Sequence, residues 1–194
     1  MFHTLLTQLK SYPSDMCVSG GAAGSDCAWV KLAEFYGQDA IHFCFADHTY
    51  KGHSKKYRVD VPEDYLQSAL DFVRKANITL CRKIPQPGYV RNLLCRNFYQ
   101  IAFSRAIYAV ANIKYGSVEG GTAWAIQMFK DMNKRNGEIY VLNKVDLKWY
   151  EWKHQEWTPI DIPPRPSGVW AGIGSREITP EIIKLMEKIW HNPI

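Results

Sequence analysis

The chain has 194 residues, a formal net charge of +5, and 46% hydrophobic, 13% aromatic and 22% charged residues. That composition can build a substantial core, and it excludes disordered, collagen-like and low-complexity architectures. No apolar run approaches the roughly 20 residues of a membrane helix, and the leading MFHTLLTQLKSYPSD lacks the basic and small-residue features of a signal peptide.

In chain order, Phe2, Leu5, Leu6 and Leu9 recur at helical spacing, and Tyr12-Pro13 ends that segment. Met16-Cys17-Val18 is a short strand that meets Gly20-Gly21. Ala28, Trp29, Leu32, Ala33 and Tyr36 mark a helical face from Ser25 to Gly37, and Ala40 to Phe45 reads as a buried strand. Residues 46–61 are polar, basic and without period, so a loop is expected. Pro62 stands at the expected first position of a helix carrying Tyr65, Leu66, Ala69, Phe72 and Val73. A further helix starts near Tyr89, with Leu94, Phe98, Ile101 and Ala102 on its apolar face. Ala106 to Ala111 is a strand, Ala125, Phe129 and Met132 share a helical face after Gly120-Gly121, and Ile139 to Leu142 is again a strand.

The alternation of strands and helices predicts an α/β fold: a three-layer, Rossmann-like, mainly parallel sheet in a single domain over residues 1–194. Alternating aromatics in 144–161 predict an appended antiparallel hairpin, and Pro163, Pro164 and Pro166 make 162–168 a stiff connector. Val169 to Ile173 is a last strand, expected inside the sheet and parallel to 16–19, with the first and last helices adjacent. A helix capped by Thr179, with Pro180 at its first position, follows.

Three glycine loops lie at carboxyl ends of these strands or just beyond them: Ser19 to Asp26, Glu119 to Trp124, and Gly172 to Glu177. In an open parallel sheet, ligands bind in the crevice at those ends. A strand–glycine–helix junction presents backbone N–H groups and the positive helix end to an anion. The candidate phosphate-binding residues are therefore Gly20, Gly21, Gly24, Ser25, Asp26, Gly120, Gly121, Thr122, Gly172, Gly174, Ser175 and Arg176, with Arg176 supplying a planar fork. Each loop also suits a tight turn that needs glycine for geometry alone. None matches a dinucleotide fingerprint or a Walker A loop, which disfavours ATP-driven phosphoryl transfer.

On the helix from Tyr89, Asn92, Arg96 and Gln100 are spaced by four, flanked by Arg91 and Asn97, and the stripe carries no acidic residue. A solvated face is the ordinary reading of such a stripe. His42, His48 and His53 lack zinc-like spacing, so no metal site is expected. The basic stretch 53–58 suits a solvated loop or an entrance for an anion, and Trp149, Trp152 and Trp157 suit packing of the hairpin better than stacking on bases. Five cysteines form no CxxC pair, so reduced thiols in a cytoplasm are expected.

SGGAAGSDxAW, EGGTAWA and AGIGSRE resemble the SLOG superfamily of Rossmann-like nucleotide-binding proteins, whose members include Lonely-Guy phosphoribohydrolases and DNA-processing proteins. The resemblance covers most of the chain. The family places its GxGSR-type strand before the GGAxGxD strand, whereas here it comes after, so the chain resembles a circularly permuted version, similar to bacteriophage proteins of unassigned activity. A segment matching Arg91, Asn92, Arg96, Asn97 and Gln100 lines the nucleotide cleft of the resembling proteins, which puts those residues among the candidates. The resemblance implies binding of a nucleotide or nucleotide-derived small molecule, with no obligatory cofactor. In a phage–host setting this means sequestration or sensing of a signalling nucleotide in the bacterial cytoplasm, by a homo-oligomer. Lonely-Guy enzymes carry a glutamate after GGxGT that this chain lacks at 120–126. Only Asp26, Glu119 and Glu177 remain as loop carboxylates for the alternative, N-glycosidic hydrolysis, and Asp26 equally suits a helix cap or a ribose hydroxyl. Binding to single-stranded DNA is the other alternative, resting on charge and aromatics alone.

Overall fold

The computed structural model describes residues 2–132 and 138–192. Its elements in chain order are α1 (Phe2–Leu9), β1 (Met16–Ser19), α2 (Ser25–Phe35), β2 (Asp39–Cys44), β3 (Arg58–Asp60), α3 (Glu63–Leu80), α4 (Tyr89–Ile101), β4 (Ala106–Ala111), β5 (Ile113–Lys114) and β6 (Ser117–Val118). They continue with α5 (Thr122–Met132), β7 (Glu138–Asn143), β8 (Lys148–Lys153), β9 (Glu156–Ile160), β10 (Val169–Gly174) and α6 (Pro180–Glu187).

Eight strands form one sheet in the order β3-β2-β1-β10-β4-β7-β8-β9. The strands from β3 to β7 run parallel, β8 runs antiparallel to β7, and β9 runs antiparallel to β8. β10 lies between β1 and β4, pairing Met16 with Val169 on one side and Ala106 with Trp170 on the other. Its sequence explains the placement. β4 and all but the last residue of β10 are fully buried, as strands covered on both faces must be. In β8, by contrast, Trp149 is buried while Lys148 and Lys153 at its ends are exposed. The connector is tied down by polar contacts: Gln38 Nε2 donates to the Pro166 carbonyl at 2.9 Å, Tyr108 to the Pro164 carbonyl at 2.9 Å, and the Gly168 amide to Asp15 Oδ1 at 2.7 Å.

Helices cover both faces, completing the three layers. Leu6 and Leu9 of α1 join α3, α4 and α5 on one face. On the other, α2 and α6 enclose Trp29, Trp170, Trp190, Tyr108 and Trp149. Trp29 is fully buried and donates to the Ile173 carbonyl at 3.1 Å. Truncating a tryptophan packed this way costs about 3–5 kcal/mol.

The structure departs from the sequence reading at four places. Residues 46–61 include a single 3-10 turn, Lys55–Tyr57, and the three-residue edge strand β3. β3 is polar because it pairs on one side only. The first and last helices are not adjacent, because α1 and α6 pack on opposite faces of the sheet. Pro62 is the residue before α3, not its first. The small β5–β6 hairpin, paired Ile113 to Val118, was not expected at all. Among the described residues no helix is long and apolar enough to cross a membrane, and all five cysteines are free.

Candidate functional site

The chain reverses its direction of travel across the sheet at β10. From β1 it crosses through α2 to β2 on one side, and from β4 through α5 to β7 on the other, with α2 and α5 on opposite faces. Such a reversal leaves a crevice beyond the carboxyl ends of the central strands. A cavity of roughly 460 Å³ lies there, lined from the loops after β1, β4, β7 and β10 and from α4 and α5.

One wall is the second glycine loop. Gly120 holds a φ of 71°, and no atom lies within 4 Å of where a Cβ would stand on Gly120 or Gly121. Arg82 donates from both terminal nitrogens to the carbonyls of Gly120 and Val118, at 2.9 and 3.0 Å, and Asn97 Nδ2 reaches the Gly121 carbonyl at 3.4 Å. These contacts engage the loop's oxygens. The N–H groups of Gly120, Gly121 and Thr122 donate to nothing among the described residues, and they stand at the positive end of the 11-residue helix α5.

The facing wall is charged and buried. Arg96 is 3% exposed, donates from Nη1 to Gln100 Oε1 at 2.6 Å, and lies 3.8 Å from Asp26 Oδ2. Arg96 Nε and Gln100 Nε2 have no hydrogen-bond partner among the described residues. Burial pushes the Asp26 carboxyl up to about 6, against the pull of Arg96, the Ala22 and Gly174 amides and Arg176. Burial likewise lowers Arg96 from the usual guanidinium range, with Asp26 opposing. Both partners shift toward their neutral forms, so desolvation outweighs their mutual attraction. An incoming anion can supply the hydrogen bonds that Arg96 lacks.

The third wall follows β10. Lys144, directly after β7, donates to Ser175 Oγ at 2.9 Å, and the Ser175 amide donates to the Val110 carbonyl at 2.7 Å. Arg176 is exposed, lines the cavity, and makes no side-chain hydrogen bond or ion pair among the described residues. Glu119 also lines it. Asn112 Nδ2 donates to its carboxylate at 2.9 Å, and that bond, with Lys114 Nζ at 3.5 Å, holds Glu119 below the usual carboxylate range.

Of the candidate residues singled out by sequence, Asp26, Arg96, Asn97, Gln100, Glu119, Gly120, Gly121, Thr122, Gly174, Ser175 and Arg176 line this one cavity. The others do not line it, and their surroundings say why they are what they are. A Cβ on Gly20 would stand 1.7 Å from Arg96 Nη1, and one on Gly21, whose φ is 64°, 2.7 Å from the Tyr50 ring. A Cβ on Gly24 would meet the Arg176 carbonyl at 2.3 Å, and one on Gly172 the Trp29 side chain at 2.6 Å. Ser25 donates its amide and its hydroxyl to the Ser175 carbonyl, each at 2.9 Å, joining the first and third loops. Arg91 and Asn92 are half-buried on α4, outside the cavity lining, and the exposed Glu177 donates its amide to Ser175 Oγ at 3.3 Å.

Sequence reasoning overlooked Lys144, Asn112 and Arg82. The first two sit just past β7 and β4, where the rule that binding residues follow strand ends points directly. Arg82 carries no such signal, because its partners lie 36 and 38 residues away.

The histidines go elsewhere. His42 is fully buried with neither ring nitrogen partnered among the described residues, and burial pushes it down to about 3. His53 pairs with Glu34 at 2.7 Å, where Tyr57 and Lys56 also converge and pull the carboxyl down to about 2. Among the described residues no cluster of three or more His, Cys, Asp or Glu side chains is placed to hold a metal ion. No family model matches this chain, nor does any curated protein or solved structure.

Proposed function

We propose that the chain binds a nucleotide or nucleotide-derived small molecule in the cavity beyond β10, with the phosphate on the Gly120-Gly121-Thr122 amides, Arg176 and Lys144. The observation that carries this reading is the convergence of three unpaired N–H groups and an under-satisfied buried arginine on one crevice. Free backbone donors at a helix start and a guanidinium short of partners both await an anion. The eleven candidate side chains and glycines gathered there, and the likeness of the loops to the SLOG superfamily in permuted order, favour a nucleotide over a simple anion. In that reading the chain sequesters or senses a signalling nucleotide. The test is a thermal-shift screen against a nucleotide panel: a ligand of the native state raises stability by about 2.7 kcal/mol at a hundredfold excess over Kd. Inorganic phosphate producing the same shift as every nucleotide would reduce the site to an anion hole.

A second reading, N-glycosidic hydrolysis, draws on Asp26 alone. Its carboxyl, raised to about 6 in the cavity, exchanges its proton closer to neutrality than an ordinary aspartate, as a general acid must. Chromatography after incubation separates the two readings: free base appears if Asp26 acts, and unchanged nucleotide remains if the chain only binds.

A further inference from the structure

A second cavity of roughly 400 Å³ lies on the other side of the β5–β6 hairpin, between it and β8–β9. Four aromatic side chains line it, Tyr115, Tyr150, Trp152 and Trp157, together with Gln155 and Glu156. It is separate from the cavity described above, and the two have no lining residue in common.

Both hairpins that flank it turn in two residues with positive φ. Tyr115 and Gly116 stand at 51° and 74°, and His154 and Gln155 at 51° and 64°. This is the type I′ arrangement, which favours Asn-Gly. A bulky residue at positive φ is an outlier, held at a conformational cost. At Tyr115 the cost brings no packing in return, since the ring is entirely exposed. The turn would be more stable with asparagine there. The tyrosine is therefore a feature that the fold does not require.

The remaining rings are fixed in place. Trp152 and Trp157 meet edge to face at 5.0 Å, Lys130 Nζ sits 3.0 Å above the Trp152 ring and 5.0 Å from Trp157, and the Tyr150 hydroxyl donates to Asp146 Oδ2 at 2.7 Å. The chemistry of the walls selects the occupant. Among the described residues no lysine or arginine lines the cavity, Lys130 being held against the Trp152 ring, and Glu156 does line it, which disfavours a phosphate or a nucleic-acid backbone. A second cation is disfavoured because the Lys130 ammonium already sits on one face of the Trp152 ring and would repel it. What fits is a neutral planar ring with polar edges, stacked on aromatics and bonded at its rim by amide and carboxylate groups.

We propose that this cavity is a stacking site for a neutral heteroaromatic ring of nucleobase type, with Tyr115 closing over it. The site stands independently of the nucleotide reading of the first cavity, and the probe is chosen accordingly: adenosine, which carries no phosphate. Binding to the full chain is measured by equilibrium dialysis and by saturation-transfer NMR on the adenine protons. Tyr115→Asn should weaken adenosine about tenfold while leaving the melting temperature equal or raised, because asparagine suits the turn. Trp157→Leu, with a cooperative melt retained, should do the same. Three results overturn the proposal: no binding by the wild type at millimolar adenosine, binding unaffected by Tyr115→Asn, or binding unaffected by a folded Trp157→Leu.

Discussion

The first and second glycine loops are nearly interchangeable as strings of residues, yet the fold uses them in opposite ways. Around Gly20, Gly21 and Gly24 the room a side chain would need is taken by Arg96, Tyr50 and the Arg176 backbone; around Gly120 and Gly121 it is empty and faces the cavity. One loop is glycine-rich so that its neighbours can close in. The other is glycine-rich and stays open. A glycine motif reports close approach, and only the surroundings say whether what approaches is the protein itself or a ligand.

The difference can be broken or sharpened by substitution. Both loops lean on β10, so removing residues 168–194 takes away the strand between β1 and β4 and should abolish cooperative melting in circular dichroism; a truncated chain with an intact melt would mean the sheet closes without it. Next in size is Gly20→Ala, which forces Arg96 out of a buried position and should cost about 2–4 kcal/mol in denaturant unfolding, with or without nucleotide. Arg176→Ala should weaken a phosphate-bearing ligand by ~1.5–3 kcal/mol in calorimetry while the melting temperature of the free protein hardly moves, since the exposed side chain has no partner among the described residues. Gly121→Ala should be the mildest for the fold, within about 0.5 kcal/mol of wild type, yet should reduce the nucleotide-induced thermal shift. Equal effects of alanine at 20 and 121 on stability would erase the distinction between the loops.

Asp26 adds a pH test of the buried wall. Folding raises its carboxyl to about 6, above the unfolded value of about 3.9, so the native state holds the proton more tightly. Its contribution to stability is present below about pH 4 and is lost as pH rises through 6. Wild type compared with Asp26→Asn should therefore lose relative stability between pH 4 and 7. A flat difference across that range would mean that Arg96 keeps the carboxylate charged.

The layered architecture was legible because its signals are local. The run Ala106 to Ala111 is apolar throughout and became the buried β4 residue for residue, and Thr179-Pro180 started α6 as a cap and first-turn pair should. What escaped was short or distant. β3 has three residues and one neighbour, too little for any period. Which candidates reach the crevice was legible for Thr122, Ser175 and Arg176, which follow strand ends or open a helix. It was illegible for Gly20 and Gly172, whose neighbours Arg96 and Trp29 come from far along the chain. On α4, spacing by four grouped Asn92 with Arg96 and Gln100, but the helix turns Leu93, Leu94 and Asn97 toward the cavity in its place.

The position of β10 also has a consequence in time. A ribosome releases β1, β2, β4, β7 and the aromatic hairpin before β10, whose Val169 must pair with Met16 across about 150 intervening residues. Until then β1 and β4 are unpaired edges, open to wrong partners of the same kind. The nascent chain can form helices and the β7–β8–β9 hairpin, but its two half-sheets join only when the strand between them emerges. Contacts of such long sequence separation slow folding, so this domain is one whose closure waits on late synthesis, with a chaperone's help most useful in that interval.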